Sequence, residues 1–133
     1  MNAKLIELLN EALAQEYSDV FLYPREARTI QDKKVADKFN QFGAEELRHA
    51  DIISMKLLEL GERPAWDYTL EQGGTSLKEM LEHHLEKEKK YILLYNKCVE
   101  ATDDDNFKIL LKGIRANEES HLKFIEDILK SLT

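Results

Sequence analysis

Residues 42–53, FGAEELRHADII, and residues 114–125, IRANEESHLKFI, carry similar patterns of apolar and polar residues. In each stretch a Glu-x-x-His motif, Glu46 with His49 or Glu118 with His121, interrupts a series of apolar residues at helical spacing. Residues three positions apart lie on one face of a helix. The pattern therefore predicts two amphipathic helices that each turn a Glu and a His toward the core.

The two stretches belong to a repeat that covers most of the chain at an offset of 72 residues. The same offset aligns Glu16 with Glu88 and Tyr23 with Tyr95. It also aligns apolar residues of one stripe with those of the other: Leu5 with Leu77, Leu9 with Leu81, Leu13 with Leu85, Ile53 with Ile125 and Leu57 with Leu129. A repeat of this kind indicates a doubled helical hairpin. It also favours Glu88 over its neighbour Glu86 as the inward-facing residue of the third helix.

Apolar periodicity predicts an all-α chain with helices at about 2–28, 32–60, 76–101 and 104–131. Two start signals support these bounds, because Ser76 and Glu79 form a capping box and residues 103–105 are three aspartates. The short first and third links predict antiparallel hairpins. Residues 1–133 are predicted to form one domain, and Pro24 is expected to kink the first helix.

The link between the second and third helices is long enough to return along a whole helix. It runs from Gly61 to Ser76 and would span roughly 50 Å if extended. One long crossover between two hairpins is the ferritin-like form of the four-helix bundle. Trp66 and Tyr68 in this link are expected to pin it to the helices.

Six polar residues interrupt the stripes near the middle of the helices, so they should meet at one level of the core. They are Glu16, Glu46, His49, Glu88, Glu118 and His121. Four ionised carboxylates in a core are too costly without compensation, whereas two divalent cations would neutralise them. Oxygen-rich ligands without sulfur favour iron or manganese, and zinc could also occupy the site. Protonated or salt-bridged carboxylates are the alternative, although the stripes carry no Lys or Arg near this level.

Further residues are predicted to surround the six. Asp19 and Tyr91 lie one turn after Glu16 and Glu88, and either could orient a ligating histidine. Tyr23 and Tyr95 could be redox-active or hydrogen-bonded to a ligand, and they could equally be core residues. His84 could be a further ligand, or a histidine that packs beside the site.

The composition of the chain argues against some classes of binding partner and favours one cellular compartment. The net charge of −7 argues against nucleic acid and acidic membranes as partners. Cys98 is the only cysteine, which fits a reducing compartment, and the first residues do not resemble a targeting peptide. We therefore predict a cytoplasmic protein that binds neither nucleic acid nor membrane.

The six residues resemble the ligand pattern of the ferritin-like di-iron carboxylate proteins, notably bacterioferritins and rubrerythrins, from Leu5 to Leu132. This resemblance implies two iron ions per chain, bridged by Glu46 and Glu118, with Glu16 and Glu88 as terminal carboxylates and one histidine on each ion. It also implies a metal-centred oxidoreductase that reacts with O₂ or H₂O₂, either as a ferroxidase or as a rubrerythrin-like peroxidase. The alternatives are iron storage without turnover, oxygenation of an organic substrate and a purely structural metal pair.

The chain also departs from these families. It lacks a rubredoxin-like cysteine domain, so a peroxidase would need a separate electron donor. Rubrerythrins have a further Glu where this chain has Tyr91, and bacterioferritins have a haem-ligating Met where it has Leu47. Haem is therefore not expected. No fifth helix and no 24-subunit cage are predicted, while a homodimer is compatible with the sequence.

Overall fold

The computed structural model describes residues 2–65, 68–69 and 71–132, which contain four α-helices and no β-strand. The helices are α1 (Ala3–Ala27), α2 (Lys33–Glu59), α3 (Leu77–Ala101) and α4 (Asp105–Ser131). The chain divides into two compact units, unit 1 (Met1–Gln72) with α1 and α2 and unit 2 (Gly73–Thr133) with α3 and α4. The prediction of four helices is confirmed, and the single domain remains a prediction.

Local hydrogen bonds fix where three helices begin. Asp32 accepts hydrogen bonds from the amides of Lys34 and Val35 at the start of α2. Ser76 and Glu79 form the predicted capping box of α3. Asp104, the middle of the three aspartates, accepts from the amide of Phe107 and begins α4. These caps satisfy amides that have no partner within their own helix.

The hairpin of unit 1 is antiparallel, because residues late in α1 contact residues early in α2. The ring of Tyr23 packs edge-on against Phe39 and Phe42, with centroid distances of 5.1 and 5.5 Å. Pro24 lies within α1 and faces Gly43 of α2. A Cβ added at Gly43 would lie 2.9 Å from two carbons of the proline ring, so the absence of a side chain lets the helices approach here. The helix continues past Pro24 to Ala27, and the kink remains a prediction.

The connection after α2 begins at Gly61, whose φ of 81° suits glycine at a helix C-terminus. Further along, Tyr68 stacks on Phe21 of α1 with a centroid distance of 5.3 Å, and its ring also lies near Tyr17. This confirms that Tyr68 pins the connection to a helix. Trp66 lies outside the described residues.

Unit 2 is also an antiparallel hairpin. The guanidinium of Arg115 on α4 donates to Asn96 Oδ1 on α3 at 2.8 Å, while His121 lies beside Glu88. Cys98 is buried in the core. Within the described part of the chain, no helix combines the length and the apolar character needed to cross a membrane. The cytoplasmic location stays a prediction.

Candidate metal centre

Unit 1 brings three predicted ligands together, and we call Glu16, Glu46 and His49 the first half-site. Glu16 comes from the middle of α1, whereas Glu46 and His49 are one turn apart on α2. All three side chains are buried. One ligand atom from each lies within 4.8 Å of the others. The antiparallel hairpin therefore closes a compact group of two carboxylates and one imidazole.

His49 is held by both carboxylates of the first half-site. Its Nδ1 lies 3.2 Å from Glu16 Oε2 and 3.2 Å from Glu46 Oε1. Burial opposes the charged ring, but the hydrogen bonds and negative charges of the two glutamates outweigh it. Together they raise the pKa of His49 to about 9. In the metal-free protein His49 is therefore protonated at neutral pH.

Unit 2 repeats the arrangement, and Glu88, Glu118 and His121 form the second half-site. Glu88 lies on α3, and the other two residues lie one turn apart on α4. The three side chains are buried, and one ligand atom from each lies within 4.8 Å of the others. His121 Nδ1 is 3.5 Å from Glu88 Oε1, so the same ring nitrogen faces a carboxylate in both units. Glu86, in contrast, is exposed beside Lys89.

The donor groups and their spacing fit a transition-metal ion in each half-site. Two ligands that each lie about 2.1 Å from an ion are at most about 4.2 Å apart. Ligand atoms within 4.8 Å of one another therefore need only small rotamer changes to bind one ion. Carboxylate and imidazole without thiolate are ligands that suit iron and manganese. The assignment of the six residues as ligands remains a prediction that this geometry supports.

The five residues predicted to surround the ligands are all buried: Asp19, Tyr23, His84, Tyr91 and Tyr95. Tyr23 packs among phenylalanines, as a core residue would. His84 contacts the ring of His83 edge-on, with a centroid distance of 5.7 Å. Their roles as partners of the ligands stay predictions.

Sequence reasoning missed a buried cation beside the second half-site. Lys87, which precedes Glu88 and lies outside the apolar stripe, has only 8% of its surface exposed. Its Nζ is 5.9 Å from the centroid of the Tyr91 ring, a cation–π contact. The expectation that no Lys or Arg lies near this level concerned only the apolar stripes, and Lys87 lies outside them. The spacing of Lys87 and Tyr91, one turn apart, is the signal that could have indicated the contact.

Comparison with known sequences finds a ferritin-like family model and two bacterioferritins. A family model described as ferritin-like domain matches residues 6–133. The bacterioferritin of Rhodobacter capsulatus is 31% identical, and the alignment covers 94% of this chain and 82% of that protein. The bacterioferritin of Desulfovibrio desulfuricans is 25% identical, with 95% and 74% covered.

The solved structures that resemble this chain are of the same kinds of protein as these sequence relatives. A ferritin-like, diiron-carboxylate protein of Bacillus anthracis str. Ames superposes with a TM-score of 0.89 at 28% identity, with 96% of each chain covered. A structure of the Desulfovibrio desulfuricans bacterioferritin, solved to describe its diiron site in different catalytic states, gives a TM-score of 0.88 at 24% identity. That alignment covers 97% of this chain and 80% of the other.

Proposed function

The chain belongs to the ferritin-like family, and we propose that its two half-sites together hold a pair of iron ions for oxidoreductase chemistry. Its fold is the predicted ferritin-like four-helix bundle. The proposed reaction is oxidation of the iron pair by O₂ or H₂O₂, as in a ferroxidase or a peroxidase.

One observation carries the proposal: each unit contains the same buried group of two glutamates and one histidine. The four carboxylates balance the charge of two divalent cations, and neutral imidazoles can serve as the remaining ligands. When bound, a pair of ferrous ions can supply two electrons, the number that reduces H₂O₂ to two molecules of water. The protein supplies the ligand positions and a site shielded from bulk water.

His49 must lose a proton before it can bind metal. A ligating imidazole is neutral and carries its remaining proton on the other ring nitrogen. In the first half-site, Nδ1 of His49 faces Glu16 and Glu46, so this nitrogen must give up its proton when a cation enters. Nε2 then keeps the proton and fixes the orientation of the ring. Metal binding is therefore linked to proton release at His49.

The side chains of this sequence also bear on its partners, namely haem, an electron donor and a second copy of the chain. We propose that no haem binds, because Leu47 stands after Glu46 and offers no sulfur ligand. With Cys98 as the sole cysteine, electrons for peroxide reduction would come from a separate donor. A homodimer is supported by the apolar surface that Leu47, Met55 and Leu58 expose on one side of α2.

The proposal is tested by loading the protein anaerobically with two equivalents of Fe(II) and mixing it in a stopped-flow instrument with O₂ or with H₂O₂. Rapid oxidation that requires Glu46 and is preserved in Glu86→Ala supports an oxidoreductase, and the faster oxidant separates ferroxidase from peroxidase. Oxidation no faster than that of free Fe(II) would refute it.

Iron storage is the second candidate, favoured by the match to proteins named bacterioferritin. Storage predicts that repeated additions of Fe(II) under air leave many iron atoms per protein in solution. An oxidoreductase without storage retains only the proposed pair. Iron analysis after gel filtration distinguishes the two functions.

A further inference from the structure

We propose that the chain associates head to tail, with an apolar patch on α4 of one copy seated in a basic groove on α2 of the next. The basic groove is lined by five residues of unit 1: Lys33, Lys34, Asp37, Lys38 and Gln41. The apolar patch consists of five residues of unit 2: Asp105, Asn106, Ile109, Leu110 and Gly113. No predicted metal ligand takes part, so this inference goes beyond the proposed function and does not depend on it.

The basic groove lies along the first turns of α2 and has a volume of about 420 Å³. Its lysines have long aliphatic stems that can pack against an apolar group while their ammonium groups stay in water. Lys33 pairs with Asp37 at 2.8 Å, whereas Lys34 is exposed and makes no ion pair within the part of the chain that the structure describes. The groove therefore offers apolar walls and a positively charged rim.

The apolar patch lies along the first turns of α4. Ile109 and Leu110 expose 69% and 49% of their surface, so their own chain does not cover them. Gly113 is exposed as well, and a Cβ added there would meet no atom beyond its own helix turn within 4 Å among the described residues, so a partner can approach the backbone closely. Asp105, one turn before Ile109, is exposed and places a negative charge at the edge. The patch is thus apolar at its centre and acidic at one end, as a docking surface would be.

The two surfaces occupy the same five positions of the 72-residue repeat. The offset aligns Lys33 with Asp105, Lys34 with Asn106, Asp37 with Ile109, Lys38 with Leu110 and Gln41 with Gly113. Unit 1 therefore has three lysines where unit 2 has one acidic and two large aliphatic residues. Two grooves in contact would bring lysines together, and two patches would bring aspartates together, which like-charge repulsion opposes. A groove against a patch pairs opposite charges and covers the aliphatic residues, so a second copy of the chain is the occupant that fits.

A contact between two different surfaces does not close on itself. Each copy that joins through its patch still presents an unoccupied groove, so addition continues until a ring closes or an open chain grows. The apolar surface of Leu47, Met55 and Leu58 lies beyond Gln41 on α2 and is not part of the groove. The head-to-tail contact is therefore independent of the homodimer, and it predicts assemblies larger than two copies.

The experiment is sedimentation velocity of the full, chelator-treated chain over a range of protein concentrations. Lys34→Glu sets a negative rim against Asp105 and should weaken association about 10-fold or more. Ile109→Ser removes the most exposed aliphatic side chain of the patch and should weaken association about 10-fold or more. The matched controls are Lys90→Glu and Leu93→Ser, because both residues are exposed and lie outside the two surfaces, and these variants should associate like wild type. Circular dichroism establishes that each variant is folded.

A mixture of the two variants tests whether the surfaces bind each other. Lys34→Glu keeps the native patch and Ile109→Ser keeps the native groove, so an equimolar mixture should associate further than either variant alone through one native contact. Wild type that sediments no larger than a dimer at every concentration overturns the proposal. So do test variants that associate like wild type, controls that weaken association as much, and a mixture that gains nothing. If Ile109→Ser does not fold, Leu110→Ser tests the same patch with the same expected result.

Discussion

The metal-free protein should lose stability as the pH rises above neutrality, because of His49. Its pKa is about 9 in the folded state, against an ordinary value of 6.5. A group whose pKa is raised by folding stabilises the protein fully below the unfolded pKa, and this contribution is lost as the pH rises through the folded pKa. The relevant window is therefore pH 6.5 to 9.

The magnitude follows from the difference between the two pKa values. One pKa unit corresponds to about 1.4 kcal/mol, so the shift of His49 corresponds to at most about 3.5 kcal/mol of unfolding free energy. For a chain of this length, a loss of that size lowers the melting temperature by about 10 °C. Bound metal should remove the trend, because His49 is then a neutral ligand and its proton has already been released.

Thermal and urea melts of chelator-treated protein between pH 6 and pH 9.5 measure the effect. Wild type should lose stability across the window, while His49→Gln should lose this part of the slope whatever its absolute stability. His83→Gln is the matched control, since His83 lies outside both half-sites and is only partly buried. Parallel pH profiles for wild type and His49→Gln would refute the assignment of the raised pKa to this residue.

Three further outcomes can be measured on simple variants. Glu46→Ala should abolish binding of the metal pair and Glu86→Ala should preserve it; metal analysis after anaerobic loading that gives the reverse result would reject the register of the ligands. Gly43→Ala should lower the unfolding free energy by about 1–3 kcal/mol, because its Cβ would meet the facing proline ring at 2.9 Å. Gly113→Ala, whose Cβ would meet no atom beyond its own helix turn within 4 Å among the described residues, should raise it by about 0.5–1 kcal/mol in the same urea melts, and equal effects would contradict the close approach at Gly43. Loading with Zn(II) at pH 7 should release about one proton from His49, and an equal release from His49→Gln in a pH-stat would argue against it.

The helices could be predicted from the sequence because local signals and periodicity agree. The capping box at Ser76 and the aspartates before α4 act over three or four residues, so no knowledge of tertiary structure is needed to identify them. The choice of Glu88 over Glu86 as the inward residue came from the 72-residue repeat. The structure places the first in the core and the second in solvent.

Contacts between helices could not be predicted in the same way. Periodicity gives the face on which Glu16 lies, but it does not say that Glu16 and Glu46 both reach the same nitrogen of His49. It likewise does not pair Pro24 with Gly43, because this contact depends on the axial register of α1 against α2. Such pairings require the geometry of the packed hairpin.

The burial of Lys87 shows why a polarity pattern alone underestimates the charges near a site. A lysine has a long aliphatic stem that can pack in a core while its ammonium reaches a favourable partner, here the ring of Tyr91. A polarity pattern that assigns every Lys to the surface therefore omits the charge of Lys87 from the residues near the site.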